Sequence, residues 1–219
     1  MIYSQTLIVL IVAALLCVHA LSFSPSMSGV EISRKNFLQK SVATAGVVTA
    51  SSFVSGQAAS AAAIPAVGTP APSFSLPSNA GKDISLSDLT KTGKYTVLYF
   101  YPGDFTSGCT IEANAFQRDF NEYTKLNTQI VGVSVDTVDK HLDFGKKYGL
   151  EFTLLSDQGG VVSEKYGSVL SIPFLGKFSN RQTYIISPEG QIVKVFTDVE
   201  SKVAKHSQEV LVELKKIVA

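Results

Sequence analysis

Blocks of apolar residues separated by polar turns run along the C-terminal two thirds of the chain. Tyr95–Tyr101 (YTVLYFY) and Thr128–Val135 (TQIVGVSV) are nearly continuous β-branched and aromatic runs, which is typical of strands buried on both faces. From Cys109 to Leu126, between these runs, apolar residues recur at helical spacing. Asp136–Tyr148, followed by Gly149, predicts a second helix that ends at the glycine. The centre of the chain therefore alternates strand and helix.

The flanking segments predict shorter elements and complete the fold. We expect two short strands at Phe74–Leu76 and around Ile84, a helical turn at Leu86–Leu89, a strand at Phe152–Leu155, a helix at Val161–Tyr166, a long connection over Ser168–Asn180, a hairpin of Gln182–Ile186 with Ile192–Phe196, and a closing amphipathic helix at Lys202–Ala219. This order predicts an α/β fold of the thioredoxin-like type, with a central mixed β-sheet flanked by helices on both faces.

The helices carry apolar stripes that we expect to pack on this sheet. Ile111 and Leu142 belong to these stripes, and Val218 is predicted to face inward. We interpret His141 and His206, by contrast, as surface residues of their helices.

The N-terminus predicts a targeting segment. Leu7–Val18 is almost purely apolar but shorter than the roughly 20 residues that cross a bilayer. Small residues follow it, as in a secretory signal peptide over residues 1–22, although no Lys or Arg precedes the apolar run. A membrane anchor is the alternative interpretation.

Residues 23–63 predict a second targeting signal. The Ala20-Leu-Ser-Phe23 junction resembles the cleavage motif of plastid proteins in algae with complex plastids, and Ser33-Arg-Lys resembles a twin-arginine export signal with Lys35 in place of the second arginine. Together they favour a chloroplast location, with the thylakoid lumen as its last step, and the alternative is an ordinary transit peptide. The remaining domain would be residues 64–219.

Composition then excludes several function classes. The 219 residues have a net charge of +1, and three of the 19 basic and one of the 18 acidic residues lie before residue 64, so residues 64–219 carry a net charge of −1. A nucleic-acid partner would favour a clearly basic face, and we expect no stable membrane insertion of the mature form. Two cysteines and three histidines disfavour a disulfide framework, an iron–sulfur cluster and a protein zinc site.

The chemistry is predicted in the segment that follows the first long strand. It contains Pro102-x-x-x-Thr106-x-x-Cys109, with the cysteine in the first turn of a predicted helix. Free N–H groups and the positive end of the dipole at a helix start favour a thiolate, which is the nucleophilic form of cysteine. Thr106 would be within hydrogen-bond reach, and Pro102 would stiffen the turn. The alternative is a buried structural cysteine, but the spacing favours the nucleophile.

This loop, with its flanking Phe-Tyr-Pro and Gly-Cys-Thr-x-Glu, resembles the active-site loop of peroxiredoxins of the Q, or bacterioferritin comigratory protein, subfamily. The resemblance extends over residues 64–219, through Val131–Val135, Lys147–Leu150, Leu154–Asp157, Arg181–Ile186 and His206–Leu211. It implies a thioredoxin fold and a cofactor-free, thiol-dependent peroxidase that reduces hydrogen peroxide and organic hydroperoxides.

The resemblance also implies a role for each site residue. Cys109 would be the peroxidatic nucleophile and become a sulfenic acid. Thr106 would bind the substrate oxygen, Arg181 would hold the thiolate and the leaving oxygen, Glu112 would orient Arg181, and Pro102 would shape the pocket.

One position departs from the family pattern. Many members have a resolving cysteine five residues after the first, where this chain has Asn114. Without Cys17, which would leave with the signal peptide, Cys109 is the single cysteine, so we expect a one-cysteine cycle completed by thioredoxin or by glutathione with glutaredoxin, in a monomer or homodimer. A peroxide sensor that passes its oxidation to a partner is the alternative function. A disulfide reductase is disfavoured because Thr106 occupies the first position of the C-x-x-C motif.

Overall fold

The computed structural model describes residues 63–219. The predictions of a signal peptide over residues 1–22 and of a plastid segment that begins at residue 23 lie outside that range. The described strands are Ser75–Pro77 (β1), Asp83–Ser85 (β2), Tyr95–Phe100 (β3), Thr128–Ser134 (β4), Thr153–Ser156 (β5), Val169–Ile172 (β6), Gly176–Ser179 (β7), Gln182–Ile186 (β8) and Ile192–Phe196 (β9). The helices are Leu86–Thr90 (α1), Ser107–Arg118 (α2), Phe120–Lys125 (α3), Val138–Tyr148 (α4), Val161–Lys165 (α5) and His206–Val218 (α6), with a 3₁₀ turn at Glu200–Lys202.

The central sheet has the strand order β5-β4-β3-β8-β9. β3 pairs in parallel with β4, and β4 with β5, whereas β8 pairs antiparallel with both β3 and β9. This is the predicted mixed sheet flanked by helices.

The sheet is buried on both faces, which explains the continuous apolar run of β3. Leu98 and Phe100 face a core that α1 and α5 complete, while Val97 and Tyr99 face the core that contains Cys109. This second core is covered by α2, α3, α4 and α6. The side of the sheet that carries the cysteine is therefore also the side packed by the longer helices.

Local signals fix the starts and ends of the helices. Ser85 and Asp88 form a capping box at α1. Thr106 caps α2, and Thr137 caps α4 by accepting from the Lys140 N–H at 3.3 Å. α4 ends at Gly149, whose φ of 61° is left-handed.

Three predicted helices differ in the structure. The predicted Cys109–Leu126 helix is divided at Asp119 into α2 and α3. In the apolar stripes, Ile111, Leu142 and Val218 are 47%, 46% and 39% exposed, because α2, α4 and α6 bury other positions, among them Glu112, His141 and His206. A hydrophobic pattern does not reveal such buried polar residues.

The prediction of surface histidines is wrong. His141 and His206 are both fully buried. His141 completes the inner face of α4 with Phe144, and His206 packs edge-on against Phe116 and Phe196. Each imidazole has a polar partner inside the protein: His141 Nδ1 lies 2.7 Å from Asp104, and His206 Nε2 lies 2.7 Å from the Thr183 hydroxyl. His206 Nδ1, by contrast, is buried without a hydrogen-bond partner among the described residues.

The predicted long connection over Ser168–Asn180 contains a hairpin. β6 and β7 pair antiparallel within it. Half of their residues are exposed and only Ser179 is buried, with Phe174 and Leu175 exposed at the turn, so their sequence lacks the alternation of a strand that packs on a core.

Candidate active site

Cys109 is the third residue of α2, and the loop before it, residues 101–106, leaves the carboxyl end of β3. Thr106 fixes the start of the helix: its Oγ1 accepts from the Cys109 N–H at 3.4 Å and donates to the Gly103 carbonyl at 3.2 Å. Cys109 is only 1% exposed. The loop therefore delivers the sulfur to a helix N-terminus, where a negative charge is stabilised, and shields it from bulk water.

Arg181 lies between β7 and β8 and brings its guanidinium to this sulfur. Its Nη2 donates to Cys109 Sγ at 3.2 Å, its Nη1 to Glu112 Oε2 at 2.6 Å and its Nε to Glu200 Oε2 at 2.6 Å. We call Arg181, Cys109, Glu112 and Glu200 the arginine cluster. Because each guanidinium nitrogen has a partner, the plane of the group is fixed and one N–H is aimed at the sulfur.

The carboxylates of the arginine cluster have contrasting surroundings. Glu112 is 1% exposed, and the side chain of Glu200 is 75% exposed. Burial raises the pKa of Glu112 to about 7, against the opposing effect of Arg181. Burial alone would lower the pKa of Arg181, but Glu112 and Cys109 raise it above its usual value, so the guanidinium stays charged.

Gly108 allows this close approach of the arginine. A Cβ at position 108 would lie 2.7 Å from Arg181 Nη2, which is shorter than any ordinary contact between these atoms. A side chain here would thus displace the guanidinium that reaches the sulfur.

A second polar cluster lies beneath the loop. Asp104 accepts from the Tyr101 hydroxyl at 2.7 Å and contacts His141 Nδ1 at 2.7 Å, while His141 Nε2 lies 3.1 Å from the Leu155 carbonyl. We call Tyr101, Asp104 and His141 the histidine cluster. All three are buried, and none of their hydrogen bonds reaches the sulfur.

Within residues 63–219, no group of three or more His, Cys, Asp or Glu side chains is arranged to hold a metal ion. The helices in the same range are all too short or too polar to cross a membrane.

Comparison with known proteins identifies the family. The model of the AhpC/TSA family matches residues 67–195, more than half of the chain. The chain belongs to the AhpC/TSA family.

The relatives place it within that family among peroxiredoxins of the Q type. A bcp peroxiredoxin of Coxiella burnetii is 42% identical over 148 residues, which cover 66% of this chain and 95% of the relative. The chloroplastic peroxiredoxin Q of Triticum aestivum is 38% identical over 144 residues, covering 66% of this chain and 64% of that protein. The chain thus spans nearly all of the bacterial relative and somewhat less than two thirds of the plant one.

Solved structures of peroxiredoxins of this type are also similar to the chain. The peroxidoxin BcpB of Mycobacterium tuberculosis superposes with a TM-score of 0.63 at 31% identity, covering 69% of this chain and 97% of that one. Peroxiredoxin Q of Xanthomonas campestris gives 0.61 at 33% identity, covering 67% and 92%. The chain is therefore a thiol-dependent peroxidase of the peroxiredoxin Q type, and these comparisons favour the enzyme over the peroxide sensor.

In this peroxiredoxin the structure brings together three of the predicted site residues, Cys109, Glu112 and Arg181. Thr106 is adjacent, but its hydroxyl bonds to backbone groups rather than to the sulfur. Pro102 lies in the loop after Tyr101 and is partly exposed. Their predicted catalytic roles remain predictions.

Two features of this peroxiredoxin site escaped the sequence analysis. Glu200 lies in a short polar turn without periodicity, and only the tertiary structure shows that it contacts Arg181. The histidine cluster had one usable signal, because His141 lies three residues before Phe144 on the apolar stripe of its helix, where an exposed residue is unusual.

Proposed function

We propose that Cys109 is the peroxidatic nucleophile of this enzyme. The observation that carries the proposal is the 3.2 Å contact between Arg181 Nη2 and Cys109 Sγ at the start of α2, because two sources of positive potential meet at one sulfur. The thiolate attacks the terminal peroxide oxygen, the O–O bond breaks, and the leaving oxygen takes up a proton as water or an alcohol. Cys109 is left as a sulfenic acid.

The neighbouring residues have supporting roles in this proposal. Arg181 holds the thiolate and stabilises the charge that develops on the leaving oxygen, as preorganised donors do in other enzymes. Glu112 orients Arg181 through the 2.6 Å bond. Thr106 would turn its hydroxyl from the Gly103 carbonyl to the substrate oxygen, and Pro102 would shape the pocket wall.

We infer that the substrates are hydrogen peroxide and organic hydroperoxides. A solved relative, the bacterioferritin comigratory protein of Xanthomonas campestris, is described by its alkyl peroxide reduction activity; it is 33% identical to this chain with a TM-score of 0.61. A small peroxide also suits a sulfur that is only 1% exposed.

We propose further that the cycle uses one cysteine. Cys109 is the free cysteine of the described residues, and Asn114, at the usual resolving position, is an exposed residue of α2. An external thiol would attack the sulfenic acid to give a mixed disulfide and water, and a second thiol would then release Cys109. Thioredoxin, or glutathione with glutaredoxin, has the required chemistry.

The test is peroxide consumption by the purified chain with each thiol donor, beside the Cys109→Ser variant. The wild type should turn over and the variant should not, and mass spectrometry after one equivalent of peroxide should trap a mixed disulfide with an added thiol. Activity that survives Cys109→Ser would contradict the nucleophile, and failure to trap a mixed disulfide would contradict the one-cysteine cycle.

Location and assembly complete the proposal. The plant relatives are named as chloroplastic, which together with the targeting motifs supports a plastid location, with the thylakoid lumen as the narrower hypothesis. A fluorescent fusion of the full chain should separate stroma from lumen. Light scattering on the purified protein should distinguish the expected monomer or homodimer from larger assemblies.

A further inference from the structure

The histidine cluster has no part in the reaction proposed above, yet it consists of buried polar groups. Asp104 and His141 have fully buried side chains, and Tyr101 is 1% exposed. Burying such groups costs free energy unless they are hydrogen-bonded, and these groups are. The cluster also lies at a defined place, because Tyr101 and Asp104 both belong to the 101–106 loop that precedes the reactive cysteine.

Each ring nitrogen of His141 has a polar partner. Nε2 faces the Leu155 carbonyl, which can only accept, so Nε2 carries a hydrogen. Nδ1 lies 2.7 Å from Asp104 Oδ2, which is hydrogen-bond distance. The cluster therefore joins α4, through His141, both to β5 and to the loop.

The contacts of Asp104 and its neighbours connect His141 with the segment that carries Cys109. Its backbone N–H donates to Asp136 Oδ2 at 2.6 Å, so both its side chain and its backbone are held. The carbonyl of the preceding residue, Gly103, accepts from Thr106 Oγ1, and that oxygen accepts from the Cys109 N–H. Hydrogen bonds, together with the peptide bond between Gly103 and Asp104, thus link His141 to the residue that carries the sulfur.

The residue between Asp104 and Thr106 shows why an anchor is needed. Phe105 has a φ of 65°, in the left-handed region that side chains disfavour by about 1–2 kcal/mol. Its ring packs on Phe144 of α4 with centroids 5.2 Å apart. α4 thus holds the loop twice, through His141 below and through Phe144 beside it.

We propose that His141 is a positioning residue of the peroxidase reaction, acting through Asp104 to hold the backbone of the 101–106 loop, from which the Thr106 hydroxyl would turn to a bound peroxide. This inference rests on the proposed function, since it assumes that Cys109 is the nucleophile. His141 contacts neither sulfur nor substrate, so its effect is on geometry alone.

Two substitutions of His141 separate its two hydrogen bonds. The amide nitrogen of Asn can reproduce Nδ1 and keep the bond to Asp104, whereas that of Gln can reproduce Nε2 and keep the bond to Leu155. We expect His141→Gln to lower kcat/KM for hydrogen peroxide about 10- to 100-fold, because small displacements of reacting groups are costly. His141→Asn should stay within about threefold of the wild type, because the loop remains anchored.

Three further measurements isolate the loop. Both variants and the control Tyr166→Phe, which removes a buried hydrogen bond in the opposite core, should have their unfolding free energies measured. The alkylation rate of Cys109 by iodoacetamide reports the thiolate without a bound peroxide, and we expect His141→Gln to lower it much less than kcat/KM. Asp104→Ala should lower kcat/KM like His141→Gln, and the double variant should lose little more than either.

The outcomes are decisive. Equal losses in His141→Asn and His141→Gln that follow their losses of stability would assign the cluster a structural role only and overturn the inference, as would wild-type activity in both. If neither variant folds, Tyr101→Phe removes one bond to Asp104 without a change of shape, and it should lower kcat/KM severalfold; an unchanged value overturns the inference. Activity in Cys109→Ser would instead contradict the proposed function, so the two failures are distinguishable.

Discussion

The arginine cluster and the histidine cluster flank the same helix start but differ in almost every property. In the arginine cluster, one guanidinium reaches the sulfur and two carboxylates, and Glu200 opens it to solvent. The histidine cluster is closed, and its hydrogen bonds end on the loop and on the Leu155 carbonyl.

This difference indicates a division of labour. In the mechanism proposed above, a positive charge beside the sulfur would lower the energy of the thiolate and of the transition state, so the arginine cluster would act on the chemistry directly. The histidine cluster can act only by fixing atoms in space. The three predictions below test the chemical role proposed for the arginine cluster. The His141 experiment tests the positioning role proposed for the histidine cluster.

The largest effect is expected from Arg181→Ala. Removing the guanidinium should lower the peroxide rate about 10²- to 10³-fold, because the donor aimed at the reacting atoms is lost. Arg181→Lys should give an intermediate rate, since it keeps the charge without the planar fork. Stopped-flow peroxide kinetics measures both, with circular dichroism to verify folding, and an alanine variant within threefold of the wild type would contradict the assignment.

Glu112→Gln tests the buried carboxylate of the arginine cluster through the pH dependence of the unfolding free energy. The folded-state pKa of Glu112 is raised to about 7, so between about pH 4.5 and 7 the native protein binds more protons than the unfolded chain. Its contribution to stability therefore falls as the pH rises through that window, by on the order of 1–3 kcal/mol. Gln cannot ionise and should remove this dependence.

The measurement is urea unfolding of both proteins between pH 4.5 and 8. The difference in unfolding free energy, wild type minus Glu112→Gln, should become less favourable to the wild type as the pH rises. A difference that is constant or increases with pH would mean that Arg181 keeps Glu112 charged throughout.

The smallest effect is expected at Glu200, the exposed carboxylate of the arginine cluster. Glu200→Gln keeps an acceptor for Arg181 Nε but removes a negative charge that competes with the sulfur, so the peroxide rate should rise by up to about threefold. Glu200→Ala also loses the positioning bond and should be slower than Glu200→Gln. The rise in Glu200→Gln should shrink in 1 M salt, which screens exposed charges over about 3 Å; a salt-independent rise would contradict an electrostatic origin.

The sequence predicted secondary-structure elements well where burial imposes a regular spacing of apolar residues. The runs of β3 and β4, the β8–β9 hairpin and the cap at Gly149 were all predicted within a few residues of their observed bounds. The hairpin β6–β7 was missed because its side chains are largely exposed and carry no alternation.

The site was predictable to the extent that its motif is contiguous. Thr106, Cys109 and Glu112 lie within one loop and helix turn, whereas Arg181 was identified from the family resemblance alone. Glu200 reaches Arg181, and Asp104 reaches His141, through tertiary packing, and the spacing along the chain encodes neither pairing. His141 also shows how a buried polar residue is mistaken for a surface one when its partner, Asp104, is 37 residues away in sequence.

Gly108 illustrates a trade-off between folding and chemistry. Glycine in a helix costs up to about 1 kcal/mol relative to alanine, so Gly108→Ala would be a stabilising change by helix propensity. The added methyl group, however, would occupy space 2.7 Å from Arg181 Nη2, and the flexible guanidinium would move aside and away from the sulfur. A substitution that helix propensity favours would thus remove the contact on which the proposed reaction depends, so stability and activity would change in opposite directions at this position.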